Sequence, residues 1–204
     1  MINYIPITYN VITKRNQYAN YNTYVFLNYI YYSMERVDAD LDRGKHKTKT
    51  IITHLKPPTV SDLTAQMGIS RNSWYRGGGS DFPKQMWISA DEESVAFMPM
   101  QTFEKVMKFI GAAPPKSREP LLRLYCYIYF QDAFFSHQFQ RSQYDIAVEL
   151  RMDLSDVNKR LQLLVNEGLI ERSGKFRYAG EKVFAYYHHI PYSDRCGENL
   201  FANN

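Results

Sequence analysis

The sequence predicts a mainly α fold with small β-ribbons (α+β), built as two successive units. Three observations carry this. Apolar residues recur at helical spacing in several runs bounded by Ser, Thr or Gly. Short strand-like segments follow the helical runs in both halves. The stretch Gly111-Ala112-Ala113-Pro114-Pro115-Lys116-Ser117 divides the chain near its middle, because adjacent prolines oppose helix continuation. The expected organisation is residues 1–110, a linker at 111–117, residues 118–191, and a polar tail at 192–204.

In the first unit, Tyr4-Ile5-Pro6-Ile7-Thr8 reads as a strand. A helix is expected from about Tyr21 to Leu41, with Leu27, Ile30, Met34, Val37 and Leu41 on its inner stripe. A basic segment follows: Arg43, Lys45, Lys47, Lys49 and Lys56, with His46 and His54 and no acid among them. After Pro57-Pro58, Thr59 is positioned to cap a helix whose inner residues are Val60, Leu63 and Met67. Gly68 supplies a left-handed turn residue, Ile69 plugs the turn, Ser70 caps the next helix and Trp74 anchors it. Gln85–Ala90 and Ser94–Pro99 are expected to pair as a hairpin around Asp91-Glu92-Glu93. A helix over Thr102–Ile110 closes the unit.

In the second unit, Glu119–Phe135 has helical periodicity through Leu121, Leu124, Tyr125, Ile128 and Phe135. Ser142 is expected to cap a helix ending at Leu150, with Ile146, Ala147 and Leu150 inward. Arg151-Met152-Asp153-Leu154 forms a turn. Ser155 is expected to cap a third helix running to about Asn166, with Val157, Leu161, Leu164 and Val165 inward and Gly168 ending it. Leu169–Arg172, Lys175–Tyr178 and Val183–Tyr187, around Ala179-Gly180-Glu181, read as a two-stranded ribbon.

Three helices followed by a ribbon resemble the winged helix-turn-helix family. The resemblance is carried by Asp145–Leu150, by Val157, Leu161 and Leu164, and by Gly168-Leu169-Ile170-Glu171-Arg172. It spans roughly residues 118–190 and departs at the turn, where Arg151-Met152-Asp153 stands in place of the usual glycine. Residues 59–76 are similar to the helix-turn-helix pattern across nearly all their length. The resemblance thus implies two such motifs, at 59–76 and 142–166, the second with a wing at 169–188.

A helix-turn-helix presents the outer face of its second helix to the major groove, where base edges carry a readable pattern. On the first motif the candidates are Ser70, Arg71, Asn72, Tyr75 and Arg76. Arginine suits guanine and asparagine suits adenine by paired hydrogen bonds. On the second they are Ser155, Asn158, Lys159 and Gln162; Asp156 is more simply a partner of the helix dipole. Lys175, Arg177 and Lys182 flank the wing and would reach the DNA backbone or the minor groove. Lys45, Lys47 and Lys49 are candidates for phosphate contact. The chain carries 25 Lys+Arg and 21 Asp+Glu, a net charge of +4. The two units carry little of it each: 13 basic against 10 acidic residues over 1–110, and 12 against 11 over 111–204. The second unit is therefore also readable as a dimerisation surface, its strand Val183–Tyr187 pairing across a two-fold axis.

Hydrophobic residues at 45% and charged residues at 23% exclude global disorder. The apolar run near Tyr24–Met34 is too short and polar to span a bilayer. No export signal is expected at the N-terminus. Two cysteines, Cys126 and Cys196, offer neither a disulfide framework nor a zinc site, so a cytoplasmic location is expected. No catalytic activity, metal or cofactor is expected. Arg76-Gly77-Gly78-Gly79-Ser80 lacks the phosphate-loop pattern and more simply ends a helix. His188-His189 would point to opposite faces of a strand. Asp132 with His137, the Asp38/Asp40/Asp42 series and the 17 tyrosines form no recognisable site.

Tandem winged helices with an opening strand and an aromatic first helix (Tyr4-Ile5-Pro6, then Tyr24-Val25-Phe26-Leu27) resemble plasmid and phage replication initiators. That implies binding to duplex DNA and recruitment of host replication proteins. A transcriptional regulator would use the same elements, with host transcription proteins as its partners. A protein-docking adaptor with degenerate winged helices is the reading from another class.

Overall fold

The computed structural model describes residues 4–37, 50–89, 95–135, 141–178 and 182–189. The molecule is organised around one helix. Residues 121–132 of this helix are buried around its whole circumference, which marks a central rather than a surface element.

Strand β1 (Tyr4–Thr8) runs into helix α1 (Tyr9–Thr13), whose N-cap Thr8 accepts a bond from Val11 N–H at 3.2 Å. A 3-10 turn over Asn16–Tyr18 leads to α2 (Thr23–Ser33), capped by Asn22. The helix expected to reach Leu41 stops at Ser33. Met34 is already extended (ψ 124°) and opens strand β2 (Met34–Val37). The helical spacing of Met34 and Val37 was thus overridden by sheet pairing, and Leu41 lies outside the described residues.

Strand β3 (Thr50–Leu55) pairs antiparallel with β2 and with β4 (Gln85–Ser89). Between β3 and β4 lie α3 (Val60–Met67) and α4 (Arg71–Arg76). Strand β5 (Val95–Pro99) does not form the expected hairpin with β4; it pairs with β1, Ile5 opposite Met98 and Ile7 opposite Ala96. The reason lies in burial. Residues 5–8 of β1 are all buried, whereas β5 alternates, so β5 lays its Ala96 and Met98 face into the core beside β1.

Helix α5 (Met100–Ala112) buries Phe103, Val106 and Ile110. The expected seven-residue linker is reduced to Ala113-Pro114, since α6 (Pro115–Phe135) starts at the second proline. Proline is favoured there because the first helical N–H needs no partner. Helix α6 packs on β1, α1, α2, β5 and α5 from the first segment and on the C-terminal elements α8 (Leu154–Asn166) and β7 (Lys182–His189). The buried apolar residues of both segments accordingly form one cluster.

The C-terminal order is α7 (Gln143–Leu150), α8, then β6 (Ile170–Tyr178) paired antiparallel with β7. Ser142 caps α7 in a reciprocal capping box with Asp145. Gly168 follows α8 with φ 67°. The observed fold is mainly helical α+β with small antiparallel ribbons, and among the described residues no helix is long and apolar enough to cross a membrane.

Candidate nucleic-acid interface

The first motif is built by its caps. Thr59 accepts from Asp62 N–H at 3.2 Å and Ser70 from Ser73 N–H at 3.1 Å, so each helix starts where a hydroxyl satisfies an orphan donor. Gly68 ends α3 at φ 59°. Its carbonyl accepts from Arg118 on α6 at 3.2 Å, and the Arg118 guanidinium also lies over the Tyr24 ring. Helix α4 is then held from below by Trp74, which is 3% exposed and meets Tyr29 and Phe82 edge-on at 5.7 and 5.2 Å. The glycine cluster serves this socket. A Cβ on Gly79 would lie 2.1 Å from the Trp74 ring, and Gly78 has φ 84°.

With Trp74 inward, Arg71, Asn72, Tyr75 and Arg76 are all exposed on α4. They fall at positions i, i+1, i+4 and i+5, hence on one face. Ser70 is also exposed, but its hydroxyl is engaged in capping and lies 3.0 Å from the Ser73 hydroxyl. It serves the helix start rather than standing free for phosphate.

The second motif is anchored differently. Val157, Leu161 and Leu164 are buried at 0–1% exposure. Ser155, Asn158, Lys159 and Gln162 are exposed and share one face at steps of three and four. Ser155 is not the cap. Asp153 occupies that position, with its carbonyl accepting from Val157 N–H at 3.0 Å, and Ser155 lies inside the first turn. Asp156 pairs with Arg160 at 2.9 Å, and Gln162 donates to Asn166 at 2.7 Å. At the turn, Arg151 takes the left-handed conformation (φ 53°) that a glycine would adopt without strain. The missing glycine therefore costs backbone energy but does not abolish the turn.

The exposed face of this second motif is partly apolar. Leu154 and Leu163 on α8 are 43% and 48% exposed, and Tyr144 and Val148 on α7 are 65% and 60% exposed. On the ribbon, Lys175 stands opposite Ala185, Arg177 opposite Val183 and Lys182 opposite Tyr178. Lys45, Lys47, Lys49 and the tail after residue 189 lie outside the described residues.

Two arginines that sequence reasoning passed over tie both motifs to α6. Arg118 holds the Gly68 turn. Arg123, only 7% exposed, donates to the carbonyls of Ile12 (2.9 Å) and Leu150 (2.8 Å), the ends of α1 and α7. Burial holds its pKa below the usual guanidinium value, with the charge of Glu119 opposing the shift and that of Arg151 adding to it. Beside it, Glu149 accepts from the hydroxyls of Tyr9 and Tyr127, linking α7 to α1 and α6. Burial pushes the Glu149 carboxyl up, against the two hydroxyl donors, which favour the carboxylate. Glu119 crosses the other way: it accepts from Thr23 N–H and Asn22 at the start of α2 and pairs with Lys14 at 2.5 Å. Charged residues in the otherwise apolar run 118–132 were the available signal.

Among the described residues, no group of His, Cys, Asp and Glu could hold a metal ion. Cys126 is fully buried, and burial pushes its thiol up, away from the reactive thiolate. Comparison with family models, curated proteins and solved structures finds no match to this chain.

Proposed function

We propose that this chain is a sequence-specific double-stranded DNA-binding protein with two tandem winged helix-turn-helix units. A replication initiator of a plasmid or phage that works in the host cytoplasm and recruits host replication proteins is the preferred role. The carrying observation is α4, which buries Trp74 and leaves Arg71, Asn72, Tyr75 and Arg76 together on an exposed face. That combination supplies donors and acceptors for base edges on a helix braced from behind. A transcriptional regulator would use the same chemistry at an operator.

The test is selection of bound duplexes from a random pool, followed by titration of variants on the selected sequence. Arg71→Ala and Arg76→Ala should each cost about 1–3 kcal/mol there. Unchanged affinity for both variants, or no enrichment at all, would reject the reading.

A second reading of the C-terminal unit has its own support. Leu154 and Leu163 are both exposed on α8, and exposed leucines suit a protein contact better than a groove contact. On this reading the second unit docks a protein or a second copy while the first reads DNA. Footprinting separates the two: two protected segments mean two reading heads, and one segment in a monomeric complex means one.

A further inference from the structure

An open cleft of about 390 Å³ lies between α1 and α7, away from the exposed face of α4. Its walls carry Arg15, Arg141 and Arg151, with Tyr144 and the carboxylates of Asp145 and Glu149. Both carboxylates are engaged inside the protein. Asp145 accepts from the Ser142 N–H at 3.1 Å and hydroxyl at 2.7 Å, and Glu149 accepts from Tyr9 and Tyr127. All three arginines are exposed, and the Arg15 guanidinium lies 5.2 Å from the Tyr9 ring centroid.

The backbone singles out the same place. Among the described residues, the non-glycine residues with positive φ are Lys14 (54°), Asn16 (54°) and Arg151 (53°). Lys14 and Asn16 bracket Arg15, and Arg151 is itself a wall of the cleft. Lys14 and Arg151 are the left-handed C-caps of α1 and α7, a conformation that a residue with a Cβ adopts at a cost. In the first motif the equivalent turn position holds Gly68. Here it holds an arginine that lines the cleft together with Arg15 and Arg141.

We propose that this cleft binds phosphate, and that its ligand is a backbone phosphodiester of the nucleic acid held by Arg15 and Arg151 with Arg141 beside them. Guanidinium groups match phosphate oxygens with paired donors. The choice of ligand rests on the duplex-binding reading, in which α7 crosses the backbone when α8 faces a groove.

The experiment uses the full chain and four probes: the selected duplex, a mixed-sequence duplex, a single-stranded oligothymidylate and pyrophosphate. The variants are Arg15→Gln and Arg151→Gly, with Arg71→Ala as the comparison. Arg151→Gly removes the charge and relieves the strained backbone, so its melting temperature should be no lower than that of the parent. Each cleft variant should weaken the duplex roughly tenfold and reduce the slope of log K against log salt by about 0.9. If both leave slope and affinity unchanged while Arg71→Ala weakens the selected duplex, the cleft site is overturned and the groove reading stands. If the parent ignores duplex but binds oligothymidylate or pyrophosphate, and Arg151→Gly abolishes that, the phosphate site stands and the duplex reading falls. Binding of none of the probes overturns both.

Discussion

Trp74 is the residue on which the packing of α4 turns. It fills a socket between Tyr29 and Phe82, and position 79 has no room for a side chain because a Cβ there would sit 2.1 Å from the indole. Gly79→Ala should therefore destabilise by about 1–3 kcal/mol through overpacking, and Trp74→Ala by about 3–5 kcal/mol through the cavity left behind. Urea denaturation checks both, and a midpoint shift near zero for either would mean the socket is not tight. Two carboxyls make a second residue-scale case, with opposite signs. Burial raises the folded pKa of Glu149 above the usual 4.5, so its contribution to stability is present below that value and lost as pH rises through the folded pKa. Bonds from Ser142 lower Asp145 below 3.8, so its contribution is present above that value and lost as pH falls through the folded pKa. In melting curves against pH, Glu149→Gln should flatten the limb just above 4.5 and Asp145→Asn the limb below 3.8. Identical pH profiles for parent and variants would contradict this.

At the scale of elements, Arg123 links three helices by one side chain. Its guanidinium donates to carbonyls in the last turns of α1 and α7, where the helix dipoles favour a cation. Arg123→Met keeps much of the apolar stem but leaves the Ile12 and Leu150 carbonyls without this donor, at about 1–3 kcal/mol each. Hydrogen exchange should then quicken in α1 and α7 while α3 and α4 keep their protection. Uniform loss across all four would show that Arg123 supports the global fold rather than one joint. Such joints were hidden in the sequence, whereas helix punctuation was plain. Thr59, Gly68, Ser70, Ser142 and Gly168 act through local geometry, so their roles as caps and turns could be read from neighbours three residues away. Strand partners could not. The pairing of β5 with β1 and of β4 with β3 joins distant segments, and the alternation in residues 85–99 fits a local hairpin equally well. Met34 shows the same limit, since it fits a helical stripe and a strand alike until β3 is in place. The exposed faces of α4 and α8 followed from the helix period. The cleft arginines did not, because α1 and α7 are far apart in sequence.

For the whole molecule, the consequence is that both helix pairs are tied to one helix by an arginine each. Arg118 grips the Gly68 turn and Arg123 grips the end of α7. Five residues along an α-helix correspond to about 7.5 Å of rise and roughly 140° of rotation. The two anchoring positions therefore lie on well-separated faces of α6, and the buried apolar residues of both segments form one core. A tether would let two heads find sites at many spacings through effective concentration; the two residues Ala113-Pro114 between α5 and α6 give no such tether. If both heads read DNA, the chain should demand one spacing between its two half-sites. Inserting about 5 base pairs turns the second half-site to the far side of the duplex, and inserting about 10 restores its face but moves it a full helical turn away. Both insertions should reduce affinity to that of a single half-site, because a fixed core follows neither rotation nor translation. Tolerance of the longer insertion alone would indicate motion along the duplex between the motifs. Indifference to both would mean that only one motif reads sequence, and the exposed leucines of α8 would then be the place to look for a protein partner.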